Sequence, residues 1–229
     1  METKIILDEF FTRTKEHQMN KALHSNPQTF NADEVKDYIN KLCSIPYATF
    51  LNYLRDFCSP ELITSENITQ SSSFKYYTTE LCKAFVRAGD SGLSLSQIGF
   101  YLHNDGKVRK ENTLNRFGLD QTKTARQFGL VRYAQNNKWY LSCIGKVFLE
   151  LGELQQRALL SRCILRDPFY ALIVRDAMNS EVVVRDYMSE LESITTINRR
   201  LSSVNHILNL IEEQIKIECP KIVLTLNRK

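Results

Sequence analysis

Thr124-Ala-Arg-Gln-Phe-Gly-Leu-Val-Arg-Tyr-Ala-Gln-Asn-Asn-Lys-Trp-Tyr-Leu-Ser-Cys-Ile-Gly-Lys-Val-Phe-Leu-Glu-Leu151 is the stretch that decides the fold. Ala125, Phe128 and Leu130 fit the buried side of a helix that stops at Gly129. Val131-Arg-Tyr-Ala and Lys138-Trp-Tyr-Leu-Ser read as two short strands, with turn residues Gln135-Asn136-Asn137 between them. Ile144, Val147, Phe148 and Leu151 then recur at helical spacing. The order is therefore helix, hairpin, helix.

Upstream, Tyr77, Leu81, Ala84 and Phe85 mark a helix that ends at Gly89-Asp90-Ser91-Gly92. Ser94-Leu-Ser-Gln97 is a capping box: the serine side chain accepts from the third backbone N–H while the glutamine reaches back. Leu95, Ile98 and Leu102 give a short second helix, followed by a connection through Asn112, Asn115 and Arg116. Three helices and a hairpin from Phe74 to Gly152 make a complete winged helix-turn-helix, a fold that most often sets one helix in a DNA groove.

The last third is expected to repeat this plan. Gln155–Leu165 reads as an amphipathic helix, and Asp167-Pro168 as an N-cap with proline at the first helical position. Ser180 and Thr196 are expected to cap a short and a long helix. The long one carries Ile197, Leu201, Val204, Leu208 and Ile211 as a continuous apolar stripe. That stripe is too short for an independent coiled coil. Gln214–Glu218 and Ile222–Thr225 alternate like strands of a second wing around Cys219-Pro220-Lys221. The first 73 residues read as helices. Asn31 or Asp33 caps one with Val35, Ile39 and Leu42, and Pro46 opens another with Phe50, Leu51, Leu54 and Phe57. Ser65–Ser73 is the expected linker. The expected fold is mainly α with short β-hairpins: a helical N-terminal region (1–73) and two tandem winged helices (74–152 and 153–229).

A chain of 229 residues can build more than one core. No apolar run approaches the roughly 20 residues that cross a bilayer. The first residues do not read as a signal peptide, so a cytoplasmic protein without membrane partners is expected. Six scattered cysteines, with no CxxC and no histidine at ligand spacing, read as reduced thiols. The net charge is +4, but Lys107–Lys146 holds nine basic residues against two acids. That excess of seven leaves the remainder of the chain at −3 and concentrates positive charge on the first module.

Major-groove recognition needs exposed Arg, Asn, Gln, Ser or Thr on a helix, with flanking cations for phosphates. In the first module the candidates are Arg109, Lys110, Asn112, Asn115, Arg116, Thr122, Lys123, Arg126 and Gln127, with Asn137 and Lys138 at the wing tip. In the second they are Asn198, Arg199, Ser202, Asn205 and His206, on a helix with no acid between Asn198 and Leu210. Any one of these residues also fits the ordinary solvent face of an amphipathic helix. There is no P-loop, GxGxxG or HExxH, and no carboxylate pair at metal-nuclease spacing. No catalytic residue, metal or cofactor is assigned.

Thr124-Ala-Arg-Gln-Phe-Gly-Leu-Val131 and Tyr140-Leu-Ser-Cys-Ile-Gly145 resemble winged-helix modules of prokaryotic restriction-modification and related phage-defence proteins. So does Thr196-Ile-Asn-Arg-Arg-Leu-Ser-Ser-Val-Asn-His-Ile-Leu208. The resemblance implies sequence-specific binding of double-stranded DNA as the target-recognising part beside a nuclease. The alternatives are a transcriptional regulator, a non-catalytic subunit that contacts other proteins or a second copy of itself, and a nuclease with a dispersed site.

Overall fold

A computed structural model describes residues 2–12, 32–57, 63, 68, 74–103, 105–134 and 136–228. The chain is mainly helical, with two small sheets of two strands each. The expected cap Asn31 and most of the expected linker Ser65–Ser73 lie outside the described residues. Two compact units form: residues 1–14, 41–72 and 157–229 make one, and residues 15–40 and 73–156 make the other. This differs from the three consecutive parts read from the sequence, because residues 1–14 and 41–72 fold with the last third of the chain, while residues 32–40 belong to the other unit.

The first unit contains α1 (Glu2–Thr12), α3 (Tyr47–Phe57) and the end of α2 (Ala32–Ser44). Most of α8 (Glu153–Ile164) follows, then α9 (Pro168–Ala177), β3 (Val182–Val183), α10 (Val184–Ser189), α11 (Ile194–Glu218) and β4 (Leu226–Asn227). Phe10 and Phe11 of α1 pack on Phe50 of α3, with ring centroids 5.4 and 5.0 Å apart. Arg162 is planted in this core with none of its surface exposed. Its Nη1 donates to the Ala158 carbonyl (3.1 Å) and Glu218 Oε1 (3.0 Å). Its Nη2 donates to the carbonyls of Cys43 (3.3 Å) and Ile45 (2.9 Å) and to Glu218 Oε2 (2.9 Å). The guanidinium also lies over the Tyr47 ring, 4.9 Å from its centroid. A buried charge is tolerated only when paired and hydrogen-bonded, and here one cation satisfies carbonyls drawn from stretches far apart in sequence.

The second unit holds α4 (Phe74–Ala88), a 3₁₀ turn (Gly89–Ser91), α5 (Leu95–His103), α6 (Glu111–Gln127), β1 (Val131–Tyr133), β2 (Trp139–Leu141) and α7 (Cys143–Glu150). The capping box at Ser94 forms as expected: the Gln97 N–H donates to Ser94 Oγ, and the Ser94 N–H donates to Gln97 Oε1 at 2.9 Å. β1 and β2 pair antiparallel, Val131 opposite Leu141 and Tyr133 opposite Trp139. Leu93 adds a third line of pairing, exchanging two 2.9 Å hydrogen bonds with Trp139.

Several expectations are corrected. α6 begins at Glu111, so Asn112, Asn115 and Arg116 belong to the helix rather than to a connection. The second wing does not form: Gln214–Glu218 continues α11, because Ile211, Gln214 and Ile215 keep helical burial. The helix stops only at Cys219, whose successor Pro220 disfavours helical backbone before it. β4 instead pairs parallel with β3. The β-branched Val182-Val183 is a strand, so Ser180 does not cap the short helix. α11 starts at Ile194 after Ser193, two residues before the expected cap Thr196. Asp167 does cap α9, its carboxylate accepting from the Phe169 N–H at 3.0 Å.

Replacing Arg162 by Met should lower stability by about 3 kcal/mol, since the Cys43 and Ile45 carbonyls lose a donor and Glu218 loses its cation. Urea denaturation measures it; a loss under 1 kcal/mol would show that packing alone closes this unit. Burial also pushes the Cys43 thiol from an ordinary 9.0 up to about 11 and the Cys163 thiol up to about 12. The unfolded chain therefore releases these protons first. Their contribution is intact below about pH 9 and is lost as pH rises toward 11–12. The urea midpoint should fall between pH 8.5 and 10.5, and replacing both thiols by Ala should reduce that dependence.

Candidate nucleic-acid interface

α5 and α6 meet backbone to backbone. A Cβ on Gly99 would come 2.2 Å from the Leu114 carbonyl oxygen, and one on Gly118 would come 2.2 Å from the Leu95 carbonyl oxygen. Only glycine at both positions allows this approach. It sets α6 across α5 with Gln121, Thr122, Ala125 and Phe128 turned inward. Asn112, Arg116, Asp120, Lys123 and Arg126 then lie on the exposed side of the helix. Gly129, in left-handed backbone at φ 73°, ends the helix, and the Leu130 N–H returns to the Ala125 carbonyl.

The hairpin is locked to this helix end. Ser142 Oγ donates to the Gly129 carbonyl at 2.5 Å and accepts from the Gly145 N–H at 3.0 Å. Gly145 leaves room for the Leu130 carbonyl, which a Cβ would meet at 2.2 Å. The Gly-Leu-Val and Leu-Ser-Cys-Ile-Gly runs are therefore two halves of one joint. At the tip, Tyr133 Oη donates to Asn137 Oδ1, and Asn136 Nδ2 donates to Tyr140 Oη, each at 2.6 Å. Trp139 is buried and packs at 5.2 Å against the half-exposed Tyr133.

Not every expected contact residue reaches the surface in a usable state. Thr122 is fully buried and its hydroxyl donates to the Gly118 carbonyl at 2.8 Å, so it has a structural role. Arg109 is clamped by both oxygens of Asp105, which sits just outside the basic window counted in the sequence. The guanidinium holds the Asp105 carboxyl well below the usual carboxylate range. Lys138 Nζ donates to the Ser91 carbonyl at 2.8 Å, and Arg132 lies over the Tyr140 ring at 4.8 Å. Lys110, Asn112, Arg116, Lys123 and Arg126 are exposed, Asn115 is half-buried, and Asn137 is exposed at the hairpin tip. The Gln127 side chain lies outside the described residues.

In the first unit, Asn198, Leu201, Ser202, Asn205, His206 and Asn209 line a shallow groove along α11. Arg199 is exposed next to it. Asn198 Oδ1 accepts from Arg185 of α10 at 2.7 Å. Asn205 is half-buried and its Nδ2 donates to the Arg228 carbonyl at 3.3 Å, so it holds the C-terminal segment. Arg228 in turn donates to Asn209 and Glu212. Sequence reading missed Arg185, Asn209 and Arg228. The 7- and 4-residue spacings of Asn198, Asn205 and Asn209 were the available signal for one face.

Among the described residues no group of His, Cys, Asp and Glu could hold a metal ion, and no helix is long and apolar enough to cross a membrane. Comparison with protein-family models, curated proteins and solved structures gives no match for this chain.

Gly118→Ala should be destabilising although alanine favours helix by about 1 kcal/mol. The clash with the Leu95 carbonyl should outweigh that, at about 1–3 kcal/mol net. Thermal unfolding checks the sign, and a stabilised variant would show that α5 and α6 can separate without loss.

Proposed function

We propose that residues 74–152 form a winged helix-turn-helix and that the chain binds double-stranded DNA through it. The observation that carries this reading is the exposed face of α6. Asn112, Arg116, Lys123 and Arg126 lie along one helix fixed by a glycine crossing, beside a hairpin whose tip is pinned by two tyrosine–asparagine bonds. Arg116, Lys123 and Arg126 supply charge for phosphates, while Lys107, Lys110 and Lys146 extend the cationic surface of the same unit. Asp120 sits among them on the same exposed side. The motif resemblance supports placing this binding in restriction or phage defence, as target recognition beside a nuclease.

A second reading is a protein-contacting subunit. It is favoured by Phe100, 68% exposed, and the neighbouring Tyr101 on α5, an apolar pair on the outside of the same unit. It predicts a partner bound without salt-sensitive affinity for DNA.

Fluorescence anisotropy of the chain with a labelled duplex should give affinity that falls steeply and linearly in log salt. Arg126→Ala should weaken binding by about 1–3 kcal/mol. Binding that does not respond to salt, or that is unchanged in Arg126→Ala, would overturn the assignment of α6.

A further inference from the structure

We infer that the two exposed helix faces divide DNA recognition between them: the α11 groove reads base edges in the major groove, and α6 grips the backbone. This rests on the duplex-binding reading above. The α11 groove is lined by amide, hydroxyl, imidazole and aliphatic side chains, and no acid occurs from Ile194 to Ile211. Asn198 and Asn209 each give the amide oxygen to an arginine, Arg185 and Arg228. Their orientation is fixed before any ligand arrives, and each keeps its Nδ2 hydrogens for that ligand. Donors suit the major-groove edge, where N7 of both purines, O6 of guanine and O4 of thymine are acceptors. Ser202 and His206, both exposed between the two asparagines, add hydroxyl and imidazole groups. Leu201 puts apolar surface in the same groove, the chemistry that meets a thymine methyl group.

The α6 face has the opposite character. Arg116, Lys123 and Arg126 are long cationic side chains suited to phosphates at any sequence. A groove built to follow phosphates would carry cations along its floor. Beside the α11 groove, Arg185 of α10 and Arg228 of the C-terminal segment hold the amides of Asn198 and Asn209 instead.

The test uses the full chain. Duplexes bound from a random pool are selected, and affinities for the selected and a scrambled duplex are measured across salt. Ser202→Ala/His206→Ala should reduce discrimination between the two duplexes roughly tenfold or more, with the salt slope unchanged. Arg116→Ala/Lys123→Ala should weaken both duplexes alike and make the slope shallower by about two. His206→Ala alone is the fallback if the double variant folds poorly, read by the same ratio. Discrimination that survives in the α11 variants, or that is lost only in the α6 variant, overturns the division. Salt-sensitive binding with no enriched sequence overturns base reading by α11 but leaves duplex binding standing. Absence of binding at low salt removes both.

Discussion

Arg162 is the constraint on which the first unit depends. A guanidinium with no exposed surface must have its charge and most of its N–H groups matched, and the partners come from residues 43–45, from its own helix and from Glu218. Tyr47 closes one side of it. Meeting that demand brings the end of α2 and the start of α3 against α8 and the end of α11, which is why this unit is discontinuous in sequence. The aromatic cluster of Phe10, Phe11 and Phe50 supplies apolar burial around it, but apolar contact is not directional. The hydrogen bonds of the buried cation fix which segments meet.

The second unit is governed by absence of volume rather than by charge. Gly99 and Gly118 bring two helix backbones into contact, and Gly145 does the same between α7 and the turn after α6. Ser142 then joins helix end to hairpin with two hydrogen bonds. The exposed face of α6 is consequently carried on rigid elements, and its cations need no rearrangement of the backbone to meet a ligand. Rigid support of this kind fits the proposed duplex binding, since ordering a loop on binding would cost affinity.

Legibility differed by the range of the interaction. The Ser94 capping box, the Asp167 cap, the hairpin at 131–141 and the helix stop at Gly129 were all readable, because each is completed within a few residues. The second wing was misread because Ile215 and Ile217 alternate like a strand while Ile211, Gln214 and Ile215 also satisfy a helical face. Periodicity cannot separate the two over so short a run. The start of α6 was placed too late because polar Asn112, Asn115 and Arg116 resemble a loop until α5 is seen to cover the other side. Thr122 looked like a contact residue by type, yet its hydroxyl is used up by the Gly118 carbonyl.

The sequence by itself determined the helical class, the first hairpin, the concentration of positive charge between Lys107 and Lys146, and the amide-rich face of α11. These follow from local backbone chemistry and residue type, which need no distant partner. Tertiary structure alone decided that α1, α3 and the end of α2 join the last third, that Arg109 is held by Asp105 and Lys138 by Ser91, and that Arg185 and Arg228 brace the α11 groove. The physical reason is that a charged or amide side chain has no fixed role until its neighbours are placed. The same guanidinium can serve as a core strut, half of an ion pair or a phosphate contact, according to what lies within hydrogen-bond reach.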